Sequence, residues 1–323
     1  MKKQIFSITV LVCILLLAGW EKEERKELHI SEEDSVMEEW IRELPPFEGK
    51  IQSEAIRGIS VEKDGEELFT AAYEPKDYKL SFDYWEITAP YTSLSTVNTE
   101  TLYTLLGQLD GLEITGEEEG KTLDETGIAD SKTYITLALS NKEEGEEADS
   151  VWRLCIGDKD GKGNIYVSEG DKDTAGLLPE SAADTLLSID PYDYILKIPV
   201  LPNITTVSSV EVESAKGLYT MSAQDGTYRM DSHKADEEEY NEAFQRLLNI
   251  LIAGELPEKG EEDTQKEPIL TVRFFRNTEE ASDIEVIYYP YDEEYVEINV
   301  NGSSFFLAER KEVESLCEYF FDT

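Results

Sequence analysis

The stretch TYITLALS (residues 133–140) reads as a β-strand, and ILTVRFFR (residues 269–276) repeats its pattern later in the chain. Both stretches are rich in β-branched and aromatic residues and are bounded by polar segments, which is typical of strands. Each follows a segment with an apolar stripe at helical spacing and precedes further strand-like runs. The pair therefore predicts two similar units, each made of a sheet and helices.

The first predicted unit covers residues 51–200 and begins with three strand-like runs. A helix follows, with Leu102, Leu105, Leu106 and Leu109 on one stripe. Further strands and a short helix complete the unit. The runs, in chain order, are GISVEKDG (58–65), ELFTAAYE (67–74), YKLSFDYWEI (78–87), the helix at 96–112, TYITLALS (133–140), VWRLCIGD (151–158), NIYVSE (164–169) and the helix at 182–189.

The second predicted unit covers residues 201–323 and shows the same order of elements. Its first helix, at 236–254, carries a stripe that includes Tyr240, Phe244 and Leu251, and its second helix, at 311–321, ends the chain. The strands are VSSVEVES (207–214), GLYTMSAQ (217–224), TYRMD (227–231), ILTVRFFR (269–276), IEVIYYPYD (284–292), YVEINVNG (295–302) and SSFFLAE (303–309).

The two units together predict an α+β fold that arose by tandem duplication of a mainly antiparallel sheet covered by helices. Within this alignment, YKLSF at Tyr78 corresponds to YRMDS at Tyr228. The order of elements supports the duplication more than residue identity does.

Residues 1–20 are typical of a signal peptide or a membrane anchor. Lys2 and Lys3 precede 16 residues without charge, which as a helix would be about 24 Å long, shorter than a bilayer core. The positive end predicts that the body lies outside the cytoplasm, attached to the outer face of the membrane or secreted.

The sequence of this segment is compatible with three kinds of processing. Leu17, Ala18 and Gly19 are typical of a lipoprotein signal, but Trp20 stands where the lipid-bearing cysteine belongs. Ordinary cleavage after Gly19 would leave Leu17 at a position that prefers a small residue. The segment is therefore a cleaved signal, a retained anchor, or a lipoprotein signal that lost its cysteine.

Residues 21–50 are predicted to form an acidic stalk with one amphipathic helix. Ser31 and Asp34 form a capping box, Trp40 lies on the apolar face, and Pro45 with Pro46 ends the helix. The helix either packs on its own domain or binds a partner beside the membrane.

The chain is strongly acidic, with a net charge of -42. Such a field repels nucleic-acid phosphates, so we exclude nucleic acid as a partner. The acids cluster in predicted loops, where they form a solvated surface or a patch for a basic partner or loosely held cations.

The cysteines and histidines indicate no catalytic or zinc site. Cys155 and Cys317 lie in apolar contexts as core thiols, and a disulfide between them is allowed outside the cytoplasm but not required. His29 and His233 lie far apart in polar segments. The sequence contains neither a GxSxG elbow nor a P-loop. We therefore predict no enzyme activity and no cofactor, with an acid-pair hydrolase as a remote alternative.

DKDGKGNIYVSE (residues 158–169) resembles a calcium-binding EF-hand loop, with Asp158, Asp160 and Glu169 at ligand positions. However, Lys162 occupies a position that needs an oxygen ligand, and both flanks read as strands instead of helices. A glycine-rich hairpin explains the stretch more simply.

Aromatic residues bracket one strand end (Tyr84, Trp85 and Tyr91) and crowd a later hairpin (Tyr288 and Tyr295 among others). Such surfaces bind sugars or peptides, but aromatic side chains at these positions more often form the core and cross-strand pairs.

The chain resembles the domain of unknown function 4340 family over most of its body. The matching stretches, in order, are AIRGISVEKDG (55–65), DYWEITAP (83–90), LYTLLGQLDGLEI (102–114), LDETGIADSKTYITL (123–137), WRLCIGDKDGKGNIYV (152–167) and LLSIDPYDYILKI (186–198). Members are extracytoplasmic, frequently lipid-anchored, and some are linked to ABC-type transport systems, including those resembling gliding-motility components. The family has no catalytic residues to carry over, and Trp20 departs from its lipid-anchored members.

The resemblance and the N-terminus predict a non-enzymatic bacterial cell-envelope protein, an accessory or scaffold of an ABC-type membrane complex. The alternative is an extracytoplasmic module that binds a glycan, a peptide or calcium.

Overall fold

In a computed structural model of the chain, two antiparallel sheets follow one another along the sequence. The structure describes residues 36–91, 95–110, 112–116, 121–140, 147–170, 172–231, 233–257 and 266–322. The predicted processing residues Leu17, Ala18, Gly19 and Trp20 lie outside these ranges, as do His29 and the predicted cap at Ser31. The packed unit begins at Val36, within the segment predicted as a stalk.

The first sheet has seven strands in the order β3-β2-β1-β4-β5-β6-β7, all antiparallel. Helix α1 precedes it, α2 connects β3 to β4, and α3 begins directly after β7. The elements are α1 (Val36–Glu43), β1 (Ile56–Lys63), β2 (Glu66–Tyr73), β3 (Trp85–Ala89), α2 (Thr99–Leu109), β4 (Tyr134–Leu139), β5 (Ser150–Lys159), β6 (Asn164–Glu169), β7 (Gly176–Pro179) and α3 (Glu180–Leu187).

The second sheet has nine strands in the order β11-β10-β9-β8-β13-β14-β15-β16-β12. Helix α4 connects β11 to β12, and α5 begins directly after β16. The elements are β8 (Val207–Ser214), β9 (Gly217–Gln224), β10 (Thr227–Met230), β11 (His233–Ala235), α4 (Glu237–Leu248), β12 (Ile252–Glu255), β13 (Leu270–Arg276), β14 (Asp283–Pro290), β15 (Tyr295–Val300), β16 (Ser303–Glu309) and α5 (Arg310–Phe321).

The two sheets share one strand order once the short edge strands β11 and β12 are set aside. Even these two strands have counterparts in the first sheet as isolated bridges. Thr96 pairs with Glu86 of β3, and Thr115 pairs with Leu177 of β7. The predicted α+β class with two sheet units is confirmed.

The helices form where the sequence supplies both a cap and an apolar stripe. The Asn98 side chain accepts a hydrogen bond from the Thr101 amide at the start of α2, and Asp236 accepts one from the Glu239 amide at the start of α4. The predicted leucine stripe of α2 is fully buried. Helix α3 packs on β1, β6 and β7, and α5 packs on β9 and β16.

The prediction of a continuous helix over 236–254 is wrong at its C-terminal end. The helix stops at Leu248, and Ile252–Glu255 instead forms β12 against β16. Leu251, assigned to the buried stripe, is 49% exposed. Pairing with a strand distant in sequence overrides the local helical periodicity here.

Helix α1 packs on the first sheet, on the face opposite α2 and α3. Met37 is buried, and the Trp40 ring lies over Gly58 so closely that an added Cβ would sit 2.2 Å from it. The chain then pairs with β5, since Phe47 donates to the Val151 carbonyl (2.8 Å) and Val151 donates to that of Pro45 (2.9 Å). The helix therefore packs on its own domain.

One hydrophobic core runs through both sheets. At their junction, Tyr91 from the first half is buried against Phe305 and Phe306 of β16 and donates a hydrogen bond to Glu255 of β12. Trp85 and Tyr288 are likewise buried, so these predicted aromatic residues belong to the core. Cys155 and Cys317 are both buried and unpaired.

Candidate functional site

The three carboxylates of the EF-hand-like stretch lie on a β-hairpin, as the simpler interpretation predicted. Asp158 lies in β5, Asp160 in the turn, and Glu169 at the far end of β6. The register places Glu169 opposite Leu154, four residues along β5 from Asp158. At about 3.3 Å per residue, that separation prevents the three side chains from meeting around one ion.

Two of these carboxylates already have partners within the protein. Asp160 accepts hydrogen bonds from the amides of Lys162 (2.6 Å) and Asn164 (3.0 Å) and from the Asn164 side chain (2.8 Å). Glu169 accepts from Trp152 (2.9 Å) and Lys172 (2.6 Å). Across the described ranges, no group of three His, Cys, Asp or Glu side chains is arranged to hold a metal ion.

A cleft at the junction of the two sheets is the best candidate for a functional site. Its cavity volume is about 130 Å³, smaller than the roughly 300–1,000 Å³ of pockets that hold drug-sized ligands. We call it the junction cleft. Its lining comes from the segment before β3, from the connection between the two sheets and from the β13–β14 hairpin: Tyr78, Lys79, Leu80, Phe82, Asp83, Glu86, Thr96, Val200, Leu201, Pro202, Asn203, Arg276, Ala281 and Ile284.

One wall of the junction cleft is a loop, residues 75–83, where a strand was predicted. The predicted strand YKLSFDYWEI is confirmed only from Trp85 onward, because residues 81–83 form a short 3-10 helix. Pro75, which follows β2, has no N–H and cannot extend the ladder. The Glu74 amide bonds the Tyr84 carbonyl and closes the loop at its base.

The loop presents two apolar side chains to solvent at the cleft. Leu80 is 44% exposed and Phe82 is 50% exposed. The loop is held from within by backbone hydrogen bonds from Lys79 to Lys76 and from Asp83 to Leu80. The apolar side chains therefore stand on a structured turn.

Asp83 is the titratable group whose environment is most unusual in the cleft. Burial raises the pKa of its carboxyl to about 6, against opposing effects of Lys79 and Arg276 and with a supporting effect of Glu86. Among the described residues, its carboxylate has no hydrogen-bond or ion-pair partner. Lys79 is bound instead to Glu86, and both of those side chains are largely buried.

Arg276 closes the opposite wall and links it to the loop. Its guanidinium lies 4.6 Å from the centre of the Tyr78 ring and donates to the Tyr78 carbonyl (3.3 Å). It also donates to Thr206 (3.1 Å) and to the Ala281 carbonyl (3.4 Å). Arg276 therefore fastens the two halves together beside the cleft.

The arrangement suits binding better than acid–base chemistry. Among the described residues that line the cleft, the carboxylates are those of Asp83 and Glu86, Glu86 is engaged by Lys79, and none of these residues is a histidine, serine or cysteine. An acid pair of the kind used by hydrolases needs two free carboxylates facing one space. The exposed apolar side chains, beside a carboxyl without a partner among the described residues, are instead typical of a docking site.

The sequence does not predict this site. The alternation in YKLSF favours a strand, and so does its alignment with YRMDS, whose first three residues lie in β10. The stretch EPKDY (residues 74–78) contains the signal that was available, since proline followed by aspartate is typical of a turn.

Of the helices within the described ranges, none is both long and apolar enough to cross a bilayer. Comparisons of the chain with protein-family models, with curated proteins and with solved structures found no match. The resemblance to the domain of unknown function 4340 family stays a prediction.

Proposed function

We propose that the chain is a non-enzymatic bacterial cell-envelope protein that lies outside the cytoplasmic membrane, tethered through residues 1–20. In this proposal it is an accessory or scaffold of an ABC-type membrane complex and docks its partner at the junction cleft. The observation that carries the docking proposal is the pair of exposed apolar side chains, Leu80 and Phe82, on a structured loop at the cleft. Exposed apolar side chains around a concave surface are typical of interaction sites.

We also propose that the two halves arose by tandem duplication and diverged in function. The shared strand order supports this, as do the short 3-10 helices before β1 and β8 and the helices directly after β7 and β16. The loop at residues 75–83 is an addition in the first copy, because the second copy continues from β9 into β10 through a tight turn. In this proposal the docking role belongs to the added loop.

The test is photo-crosslinking in intact membranes of the native host. A photoreactive phenylalanine analogue replaces Phe82 in the full chain, and a matched variant carries it at Leu218, which is 53% exposed on β9. We expect a subunit of a membrane complex to be captured from position 82 and not from position 218. Identical products from both positions, or no product from position 82, would contradict the proposal.

A further inference from the structure

The half-buried carboxyl of Asp83 has no hydrogen-bond or ion-pair partner among the described residues. Even partial removal of a carboxylate from water without a compensating hydrogen bond or counter-charge is unfavourable. The raised pKa of this side chain is the result of that burial. A cation supplied by a ligand would restore the missing interaction.

The basic groups beside Asp83 are already engaged elsewhere. Lys79 is bound to Glu86, and Arg276 bonds two carbonyl oxygens and Thr206 while it stacks on Tyr78. No ion pair joins either group to Asp83 among the described residues. In the cleft, Asp83 is therefore the charged group that is free to meet a ligand.

An apolar surface lies next to this carboxyl. Leu80 and Phe82 are exposed on the same loop, and Leu201 on the facing wall is partly exposed, whereas Val200 and Ile284 of the lining are already buried. Burial of apolar area against these side chains contributes about 25 cal/mol per Å². A ligand that places an apolar group beside its cation therefore binds more tightly, because it contacts both the Asp83 carboxyl and the apolar side chains.

The charge of the whole chain favours the same kind of ligand. With a net charge of -42, the protein attracts cationic partners over long range and repels anionic ones. A short basic segment of a protein supplies a cation and an apolar side chain within one or two residues, and the cleft has to receive only these two side chains.

We propose that the junction cleft binds a short peptide segment of the partner in which a lysine or arginine lies beside an apolar residue, with Asp83 receiving the basic group and Leu80 and Phe82 the apolar one. This inference rests on the proposed docking function and names the chemistry of the segment that docks.

The test is selection from a random heptapeptide library on the purified chain, at 0.3 M salt so that long-range attraction is screened to roughly the distance of a direct contact. We expect the selected peptides to be enriched at least fivefold in a basic residue next to an apolar one. The Asp83→Asn variant should lose the basic enrichment and keep the apolar one, and Phe82→Asp should lose the apolar enrichment.

Asp77→Asn is the matched control, since Asp77 is an exposed aspartate on the same loop and its replacement removes the same charge. It should select the same peptides as the native chain. Selection of acidic peptides, basic enrichment that persists in Asp83→Asn, or no enrichment at all would overturn the inference. Capture of a membrane subunit from position 82, together with peptides that show no basic preference, would overturn this inference and leave the docking function standing. A basic preference that depends on Asp83, together with no capture from position 82, would overturn the docking function alone.

Discussion

On the face turned away from α2 and α3, the first sheet carries small and neutral side chains at its centre. Gly58, Ser60 and Thr136 lie there, and the last two are 1% exposed. Helix α1 covers one part of this face through Trp40, and residues 121–133 cover another part by packing Ile128 against the sheet. Both faces of the first sheet are therefore internal over much of their area.

The corresponding face of the second sheet carries charges. The register places Glu211 and Arg273 where the first sheet has Ser60 and Thr136. Arg273 forms ion pairs with Glu213 (3.0 Å) and Glu285 (2.6 Å), and all of these side chains remain partly exposed. This face meets solvent, as one face of an antiparallel sheet commonly does.

The difference between these two faces shows that strand order alone does not determine which surfaces a sheet buries. Two sheets with one topology have different coverings, because α1 and residues 121–133 lie on the first sheet only. The loop at residues 75–83 is a third difference, and it forms a wall of the junction cleft. The elements that distinguish the two halves lie outside the shared strands.

Replacing Gly58 with valine should disrupt the packing of α1 on the first sheet and have the largest effect on stability. The added side chain would overlap the Trp40 ring, since even a Cβ would lie 2.2 Å from it. We expect the free energy of unfolding to fall by about 3 kcal/mol, measured by urea denaturation. The matched change in the second sheet, Ser209→Val, should alter it by less than about 0.5 kcal/mol.

The Trp40→Ala variant provides the internal check. In that background Gly58→Val should cost much less, because the ring that it meets is gone. Equal costs in both backgrounds would mean that the contact between α1 and β1 does not determine the effect.

The Asp83→Asn variant should be more stable than the native chain, which would distinguish the loop at residues 75–83 from the rest of the first half. The pKa of Asp83 is near 6 in the folded chain and 3.8 without burial, so its protonated form is favoured by folding. The stability that it contributes is full below pH 3.8 and is lost as pH rises through 6. Above pH 7 we expect Asp83→Asn to be more stable by about 1 to 2 kcal/mol, a value reduced for partial exposure of the carboxyl.

The difference between Asp83→Asn and the native chain should shrink towards zero near pH 3.5, as followed by denaturation curves across pH. Asp77→Asn, on the exposed side of the loop, should show no comparable pH-dependent gain. A constant difference at all pH values would indicate that the asparagine acts through packing and not through charge.

Thr136→Val should have the smallest effect and tests the interior character of the covered face. The Thr136 hydroxyl is buried and has no hydrogen-bond partner among the described residues, so its removal should stabilise the protein by about 1 kcal/mol. Arg273→Met, at the corresponding position of the open face, should destabilise by no more than about 1 kcal/mol. Thermal unfolding at low and high salt distinguishes the two variants, since only the destabilisation by Arg273→Met should weaken as the salt concentration rises.

Much of the fold could be predicted because the strands carry their own signals. The runs VSSVEVES, GLYTMSAQ and SSFFLAE match β8, β9 and β16 at both ends. The short strands β7, β11 and β12 were missed, since three or four residues at a sheet edge show too little alternation to be recognised. Their pairing depends on partners that lie elsewhere in the chain.

The candidate site could be predicted only in part, for a physical reason. The proline at the start of the loop signals a turn, but the environment of Asp83 depends on residues about position 200 and on the β13–β14 hairpin. Nothing local to Asp83 indicates that it is half-buried without a partner among the described residues. The expectation that both halves are alike also conceals a loop in which they differ.

The attachment of α1 has a mechanical consequence. A pull on the chain from its N-terminal side reaches the folded unit through Trp40 and then through the two backbone hydrogen bonds that join Pro45 and Phe47 to Val151. These few contacts bear the load before the ladders of β5 with β4 and β6 do. Under tension, residues 36–47 therefore detach first and add to the extended chain, while the seven-stranded sheet and the cleft beside it stay folded.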